Sequence, residues 1–261
     1  MTDLPALAEQ VAGLILDSRH VMAFTGAGIS TESGIPDFRG PGGLWTKYDP
    51  EEFTIGRFLE STQNRGRMWR MLSEEFFREV TPNPAHDALA ELERMGKLEC
   101  IITQNVDNLH QMAGSSPEKV FELHGNMHWG LCLGCEQRYP MEQVREWLAE
   151  VKEYPPCPDC RGILKPAGVF FGEPLPMQEM EAATHHSRES DLFLVIGSTL
   201  TVYPAAYMPA YALDTGARLI IINLSPTALD GRATLHLPYK AGDALSPIAA
   251  GVRNGLGARS A

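Results

Sequence analysis

Features typical of membrane, exported and repeat proteins are missing from this sequence. No apolar run approaches the roughly 20 residues of a membrane-spanning helix, and residues 1–5 carry no basic stretch of the kind that opens a signal peptide. Internal repeats and low-complexity tracts are also missing. We therefore expect a soluble, cytoplasmic protein.

Positive charge is scarce in this chain. Its 22 Lys and Arg residues face 33 Asp and Glu residues, which gives a formal net charge of −11. This balance argues against a nucleic-acid or anionic-membrane surface, and it suits a partner that presents lysine or other cationic groups. With 261 residues, 44% of them hydrophobic, the chain can bury the core of one large domain or of two unequal ones.

Cysteine is rare as well, but four of the five cysteines form two Cys-x-x-Cys pairs. These pairs are Cys132 with Cys135 and Cys157 with Cys160. Four thiolates complete a closed tetrahedron around zinc and leave no position for water, so we expect a structural zinc ion. A redox pair is the alternative for either motif. Cys100 lies in an apolar run and is expected to be an inert core thiol.

Polar residues follow two apolar runs that are typical of buried strands. Residues 98–102 precede the polar segment 103–110, and residues 119–123 precede His124. Ligands of open α/β sheets bind beyond the carboxyl ends of strands, although solvated turns are the alternative. Imidazole exchanges protons near neutrality, which makes His124 the candidate base. We expect His110 to lie on a helix outside the pocket.

A glycine-rich turn follows the first predicted strand, at residues 21–24. Gly26 and Gly28 would let backbone N–H groups approach a phosphate, but Thr31 stands where a dinucleotide fingerprint has its third glycine. A Gly- and Pro-rich loop, residues 32–45, replaces the strand and acidic ribose ligand of a dehydrogenase. A tight turn and a surface loop with an ion pair are the alternatives for these two segments. The loop carries a carboxylate, a ring and a guanidinium in Asp37, Phe38 and Arg39.

The second half of the chain contains a strand-helix-strand pattern. Apolar runs at residues 191–196 and 218–222 flank a predicted helix at 204–215, which is typical of a parallel crossover. The first run ends at Gly197, Ser198 and Thr199, and the second run ends at Asn223. Small hydroxyl residues at one strand end and an asparagine at the next suit the phosphate and the ribose of a nucleotide. We expect an α/β fold with a doubly wound parallel sheet (Rossmann-like) and a smaller zinc-ribbon plus helical module. A tail at residues 254–261 is expected to fray.

Three motifs occur in the order found in the sirtuins, the NAD-dependent protein lysine deacylases. Residues 26–30 (GAGIS), 34–39 (GIPDFR) and 103–107 (TQNVD) resemble that family, and the resemblance extends over about residues 21–244. It implies that Asp107 accepts from the nicotinamide carboxamide, Asn105 holds the ribose and an ordered water, and His124 deprotonates a ribose hydroxyl. The implied NAD-binding residues are Gly26, Ala27, Gly28, Ser30, Thr31, Asp37, Phe38, Arg39, Gln104, Asn105, Val106, Asp107, Gly197, Ser198, Thr199, Asn223, Leu224 and Ala241.

The resemblance also implies a peptide-binding side and a division into domains. The implied peptide-binding residues are Val169, Phe170, Phe171, Gly172, Glu173, Val202 and Tyr203. From the residues alone, 169–171 are either an exposed strand edge or a simple linker strand. An NAD-binding domain is expected at residues 1–40, 81–127 and 166–261, with a helical insert at 41–80 and a zinc-ribbon insert at 128–165.

Three further expectations concern specificity and the remaining histidines. Sirtuins that prefer acidic acyl groups resemble one another in a Tyr-x-x-Arg pair, but here Glu51 stands three residues after Tyr48, so we expect a neutral acyl group. His86 is expected to be structural, on the first turn of a helix that Asn83 caps. Residues 185–186 are two histidines expected on a solvated helix face.

The implied function is NAD-dependent removal of acyl groups from protein lysine, with nicotinamide and O-acyl-ADP-ribose as products. The expected partners are acyl-lysine proteins or peptides, without direct nucleic-acid or membrane binding, and we expect a monomer. A protein mono-ADP-ribosyltransferase would use the same NAD site. A non-catalytic NAD-binding or zinc-scaffold protein is a further alternative. The missing third glycine and acidic ribose ligand argue against a nicotinamide oxidoreductase.

Overall fold

The computed structural model describes residues 3–75, 79–151 and 154–260. Within these residues the helices are α1 Leu4–Asp17, α2 Ile55–Glu60, α3 Thr62–Glu75, α4 Pro84–Arg94, α5 Leu109–Met112, α6 Met141–Glu150, α7 Met177–Glu189, α8 Met208–Asp214 and α9 Ala241–Ser260. The strands are β1 Val21–Thr25, β2 Cys100–Thr103, β3 Val120–Glu122, β4 Gly125–Cys132, β5 Arg138–Pro140, β6 Leu164–Gly168, β7 Leu192–Ile196, β8 Arg218–Ile222 and β9 Leu235–Leu237. None of the helices in these ranges has the length and apolar character needed to cross a bilayer.

The main sheet has six parallel strands in the order β3-β2-β1-β7-β8-β9. Every residue of β1 and of β7 is buried, as expected for apolar strands that are covered on both faces. The chain moves outward from β1 to β3 and, in the other direction, from β7 to β9. The strand order therefore reverses between β1 and β7, the position at which doubly wound sheets bind ligands. This confirms the predicted α/β fold class.

Helices cover both faces of the main sheet. On one face α1, α4 and α9 pack together, with Val11, Leu89 and Ile248 in a shared core. On the other face α7 and α8 contribute Ala183 and Met208 to a second core. Asn83 caps α4, since its side chain accepts from Ala85 N–H and the His86 ring completes the cap. Each of these helices therefore packs an apolar face against the sheet.

A third core joins the helices that precede α4 to the ribbon that carries the cysteines. Phe58 of α2 and Trp69 of α3 are fully buried, and Trp69 Nε1–H donates to Leu164 O at 3.3 Å. Strand β4 pairs antiparallel with both β5 and β6 in a separate three-stranded sheet. Phe76 and Phe77, which belong to the helical insert predicted at residues 41–80, lie outside the described residues.

The segment at residues 169–171 does not form the predicted strand. Strand β6 ends at Gly168, and beyond it Val169 N–H donates to His124 O at 2.7 Å while Phe171 N–H donates to Phe53 O at 3.1 Å. Phe171 also forms an isolated bridge with Thr54. The N–H groups of Val169 and Phe171 thus bind two different parts of the chain, so the segment forms no regular ladder with one partner strand.

The structure corrects the expected fraying of the tail and part of the expectation for residues 185–186. Helix α9 continues to Ser260, and Arg259 binds the end of α1, with Nη2 2.6 Å from Asp17 Oδ1 and Nη1 donating to Leu16 O. His185 is exposed as expected, but His186 is half-buried and its Nδ1 lies 3.0 Å from Glu99 Oε1. Tertiary partners distant in sequence decide both cases.

Candidate active site

A cavity of about 650 Å³ opens at the carboxyl ends of the main-sheet strands. Every residue predicted for catalysis, cofactor binding or peptide binding lines it. They are Gly26, Ala27, Gly28, Ser30, Thr31, Asp37, Phe38, Arg39, Gln104, Asn105, Val106, Asp107, His124, Val169, Phe170, Phe171, Gly172, Glu173, Gly197, Ser198, Thr199, Val202, Tyr203, Asn223, Leu224 and Ala241. The fold therefore brings together segments that are separated by up to 215 positions between Gly26 and Ala241.

The glycines after β1 allow close packing against the turn that follows β7. A Cβ atom on Gly28 would lie 2.7 Å from Gly197 Cα, and one on Gly26 would lie 2.9 Å from Gly197 O. Gly26 N–H donates to Ile196 O at 3.1 Å and Gly28 N–H donates to Gly197 O at 2.9 Å. These two N–H groups are engaged within the protein. The Gly-x-Gly sequence is required for contact between two strand ends.

Asn105, Ser30 and Asp107 form a hydrogen-bonded group at the end of β2. Asn105 Nδ2 donates to Ser30 Oγ at 3.1 Å and to Gly26 O at 3.3 Å. The Ser30 hydroxyl donates to Asp107 Oδ2 at 2.7 Å, and Leu109 N–H donates to Asp107 Oδ1 at 3.0 Å. Asn105 is only 8% exposed. The amide and the carboxylate are thus held in fixed orientations at the cavity wall.

His124 lies just beyond β3 and is oriented by a main-chain carbonyl. Its Nδ1 is 2.8 Å from Gln104 O. Because a carbonyl only accepts, Nδ1 carries the proton and Nε2 keeps its lone pair. Burial lowers the pKa of His124, while the Gln104 carbonyl acts in the opposite direction. The imidazole is therefore neutral at neutral pH, with one nitrogen available as a base.

The loop after the first turn is ordered by Asp37 and by aromatic contacts. Asp37 Oδ1 accepts from Gly40 N–H at 2.8 Å. The Phe38 and Trp45 ring centroids are 5.2 Å apart, and Trp45 meets Phe53 edge-on at 5.1 Å. Within the described residues Asp37 and Arg39 form no ion pair, so the alternative of a simple surface ion pair is not supported.

Two cations are among the described residues that line the cavity. They are Arg39, whose side chain is exposed, and Lys240, which immediately precedes α9. The chain as a whole carries an excess of negative charge, with a formal net charge of −11. Two cations at one cavity are a suitable arrangement for an anionic ligand.

The part of the cavity beyond β7 and β8 is lined by small polar groups. Gln104 Nε2 donates to Ser198 Oγ at 2.9 Å, which connects the ends of β2 and β7. Asn223 Nδ2 donates to Ser225 O at 2.7 Å, which holds the turn after β8. Glu32 Oε2 accepts from Gly242 N–H at 2.8 Å in the first turn of α9. A carboxylate at a helix N-terminus is favourable, so Glu32 joins the turn after β1 to α9.

Several lining residues escaped the sequence analysis. Trp45, Phe53 and Met127 line the cavity beside the predicted peptide-binding residues, and Ser225 lines the other half. Single apolar or hydroxyl residues carry no motif signal, because only their position in the fold brings them to the cavity.

His86 and His110 lie next to each other in the interior. Both are buried, their ring centroids are 5.0 Å apart, and His110 Nε2 lies 2.9 Å from Thr25 Oγ1. Burial lowers the pKa of each ring. Neither lines the cavity, which agrees with the expectation for both. Burial also raises the pKa of the Cys100 thiol, in agreement with its expected inert role.

The four paired cysteines form one cluster. Cys132 Sγ lies 3.4 Å from Cys160 Sγ, Cys135 Sγ lies 3.7 Å from Cys157 Sγ, and all four sulfur atoms lie within 4.8 Å of one another. Around a tetrahedral zinc ion with bonds of about 2.3 Å, sulfur atoms are about 3.8 Å apart. The four cysteines therefore fit one zinc ion. This arrangement favours a single metal site over two separate redox pairs.

Comparison with known proteins agrees with this geometry. The model of the Sir2 family matches residues 26–204. An NAD-dependent protein deacetylase of Caldivirga maquilingensis is 47% identical over 241 residues, which cover 92% of this chain and 91% of that protein. An NAD-dependent protein deacylase of Archaeoglobus fulgidus is 44% identical over 241 residues, 92% of this chain and 93% of that protein.

Solved structures agree with the relatives in sequence. A Sir2 variant in complex with deacetylated p53 peptide and 3'-O-acetyl ADP ribose superposes with a TM-score of 0.85 and is 40% identical, covering 95% of this chain and 97% of that one. A Sir2 complex with p53 peptide and NAD+ has a TM-score of 0.83 at 40% identity and covers 95% of this chain and 98% of that one. With its parallel sheet, its four-cysteine cluster and its matches in sequence and in structure, the chain belongs to the Sir2 family.

Proposed function

We propose that this protein removes acyl groups from lysine side chains of proteins and consumes NAD in doing so. The observation that carries this proposal is the convergence of Asn105, Asp107 and His124 on one cavity at the carboxyl ends of β2 and β3. The relatives named NAD-dependent protein deacetylase or deacylase support the same reaction. Acyl-lysine, NAD and one water molecule give free lysine, nicotinamide and O-acyl-ADP-ribose.

The dinucleotide spans the cavity from the aromatic loop to the start of α9. The adenosine half is held by residues beyond β7 and β8 that include Ser198, Asn223 and Ala241, and Arg39 and Lys240 attract its phosphates. This assignment is supported by the small polar groups and the two cations that line those parts of the cavity. NAD supplies the ribose carbon that accepts the acyl oxygen as nicotinamide leaves.

Asn105 and Asp107 orient the nicotinamide ribose and the carboxamide. An amide and a carboxylate fixed through Ser30 can hold the ring and the sugar in different planes without reorganising during the reaction. Fixed orientation favours loss of nicotinamide, since the sugar then develops positive charge in front of the acyl oxygen.

His124 takes a proton from a ribose hydroxyl so that the hydroxyl can attack the acyl group. Its Nε2 is the basic nitrogen because Nδ1–H is engaged with Gln104 O. A positioned base of this kind contributes about 100-fold or more to a rate. Replacing His124 therefore removes the step that transfers the acyl group to the nucleotide.

The acyl-lysine peptide binds along residues 169–173 on one side and near Val202 and Tyr203 on the other. The wall beside it contains aromatic rings, with the Phe171 ring centroid 6.0 Å from that of Trp45. Such a wall favours a neutral acyl group over an acidic one.

The proposed function also implies a division of the chain into domains. We assign NAD binding to residues 1–40, 81–127 and 166–261, with a helical insert at 41–80 and a zinc-ribbon insert at 128–165.

The protein acts as a cytoplasmic monomer without direct contact to nucleic acid or membrane. The net charge of −11 supports the latter point, and four clustered thiols are suited to a reducing compartment.

The decisive experiment supplies NAD and an acetyl-lysine peptide and measures nicotinamide, deacetylated peptide and O-acetyl-ADP-ribose together. We expect all three in equal amounts. His124→Ala is expected to lose about 100-fold or more of the deacetylation rate, whereas His185→Ala, an exposed position on α7, retains it.

Other outcomes separate the alternatives. Label from NAD fixed on protein indicates ADP-ribosyl transfer, and absorbance of reduced cofactor indicates an oxidoreductase. The absence of nicotinamide release indicates a non-catalytic binding protein. Undiminished deacetylation by His124→Ala contradicts the proposed role of this histidine.

A further inference from the structure

A buried ion pair lies directly behind the segment assigned to the peptide. Lys165 belongs to β6, and its side chain is 3% exposed. Its Nζ lies 3.0 Å from Glu173 Oε2, donates to Gly168 O at 2.8 Å and lies 4.5 Å from the centroid of the Phe170 ring. Lys165 does not line the cavity, so the proposed chemistry does not use it.

The same ion pair closes a loop of the main chain. Glu173 Oε2 accepts from Phe170 N–H at 2.7 Å, and Glu173 N–H donates to Phe170 O at 3.0 Å. Gly168 O is bound by the lysine at the beginning of the loop. One ammonium and one carboxylate therefore fix the backbone at both ends of residues 168–173.

This loop is also attached to the residue that carries the proposed base. Val169 N–H donates to His124 O at 2.7 Å. On the other side, Phe171 N–H and O bind Phe53 O and Ile55 N–H at 3.1 and 3.0 Å. The shape of the loop thus sets how the peptide side of the cavity lies relative to His124.

Stability alone does not explain a buried charge at this position. Burial lowers the pKa of Lys165 and Glu173 opposes the shift, which reflects the free energy of removing an ammonium from water. Apolar side chains of similar volume often stabilise a core as well as a buried ion pair does. An ion pair differs from them in accepting only one geometry of the groups around it.

We propose that the buried Lys165–Glu173 ion pair is a positioning device that holds residues 168–173 in the shape that receives the acyl-lysine peptide. The proposal rests on the proposed function. Lys165 acts through the loop without touching substrate. Loss of the Lys165 ammonium group therefore raises KM for the peptide and leaves KM for NAD nearly unchanged.

The test compares Lys165→Met, Lys165→Arg and Lys119→Met in the full-length protein. Lys119 is the control lysine, since its side chain is 44% exposed although it also forms an ion pair, with Glu93 at 3.7 Å. We expect Lys165→Met to raise KM for an acetyl-lysine peptide about tenfold or more, with KM for NAD within about twofold of wild type. Lys165→Arg is expected to recover most of the loss, and Lys119→Met is expected to behave as wild type.

Hydrogen–deuterium exchange provides a readout that does not depend on turnover. We expect the amides of residues 168–173 to exchange faster in Lys165→Met than in wild type, whereas those of β1 and β7 remain protected. Unchanged exchange in this loop overturns the proposal. Failure of the wild-type protein to deacetylate any peptide contradicts the proposed function instead, and the exchange result still decides whether the ion pair holds the loop.

A double variant separates positioning from stability. Lys165→Met combined with Glu173→Leu removes both charges, so the core holds no unpaired ion and we expect it to fold with a Tm close to that of wild type. A raised peptide KM in this folded protein, together with faster exchange of the amides of residues 168–173, supports the proposal. A wild-type peptide KM in the double variant, or an equal rise of both KM values in Lys165→Met, overturns it.

Discussion

The hydroxyl of Ser30 donates to Asp107 Oδ2 at 2.7 Å and accepts from Asn105 Nδ2 at 3.1 Å. Ser30 belongs to the turn after β1, and its two partners follow β2. One buried hydroxyl therefore connects two neighbouring strand ends and sets the orientation of the two polar side chains assigned to the nicotinamide ribose. Ser30 itself is 1% exposed, so water cannot readily replace it.

Replacing Ser30 with Ala is expected to lower kcat/KM for NAD by about tenfold or more. A hydrogen bond to a charged group contributes about 1.5–3 kcal/mol, and here its loss also removes the nearer of the two acceptors of the Asn105 amide and leaves Gly26 O. The measurement is steady-state nicotinamide release at saturating peptide. Ser246→Ala on α9 is the control, since that hydroxyl binds Gly242 O within its own helix. Equal kinetics for both variants would contradict the role of Ser30.

Replacing Cys135 with Ser is expected to reduce bound zinc well below one ion per chain and to lower Tm. The site is closed by four thiolates, and removal of one opens it to water. Metal analysis and thermal unfolding measure the two effects. Cys100→Ala, in the core of the main sheet, should keep a full complement of zinc. Loss of zinc in that variant as well would show that the metal is not confined to the cluster.

The enzyme is expected to prefer acetyl-lysine to succinyl-lysine. The cations that line the cavity, Arg39 and Lys240, are assigned to the phosphates, and the peptide side is walled by Trp45 and Phe171. An acidic acyl group would lose its hydration there without gaining a partner. One peptide carrying acetyl, butyryl, myristoyl or succinyl lysine provides the comparison through kcat/KM. Faster turnover of the succinyl peptide would refute the assignment of the two cations.

The rate is expected to fall only in the mildly acidic range. His124 must be neutral to act as a base, and burial lowers its pKa below the ordinary value of 6.5. Because a lower pKa keeps the ring neutral over a wider range, more than half of the maximal kcat/KM should remain at pH 6.5. A profile of kcat/KM from about pH 5 to 8 measures this limb. A midpoint above 6.5 would exclude His124 as the titrating base.

Much of the site was predictable because it follows the ends of strands. Apolar runs in the sequence indicate where β1, β2, β7 and β8 lie, and in a parallel sheet their polar carboxyl ends meet at one edge. The strand pattern alone was therefore enough to predict that Gln104, Asn105 and Ser198 lie close together. The spacing of the four cysteines was equally informative, since two close pairs suffice to surround one ion.

Other features depend on contacts between distant segments. The glycines at 26 and 28 are explained by contact with Gly197, which follows β7 and comes about 170 positions later in the sequence. Residues 169–171 resemble a strand, but their N–H groups bind His124 and Phe53 instead of forming a ladder. Local propensity could not indicate either partner.

The sequence by itself determined the fold class, the zinc ligands and the polar groups of the site. Each of these features depends on residues that are close together in the sequence, either as a local periodic pattern or as a motif of short spacing. Only the tertiary structure decided which N–H groups are engaged, which histidine nitrogen is basic and which lysine is buried. These properties depend on partners brought within about 3 Å by packing, the range over which hydrogen bonds form. Hydrogen bonding and burial at that range set the protonation of His124 and the environment of Lys165.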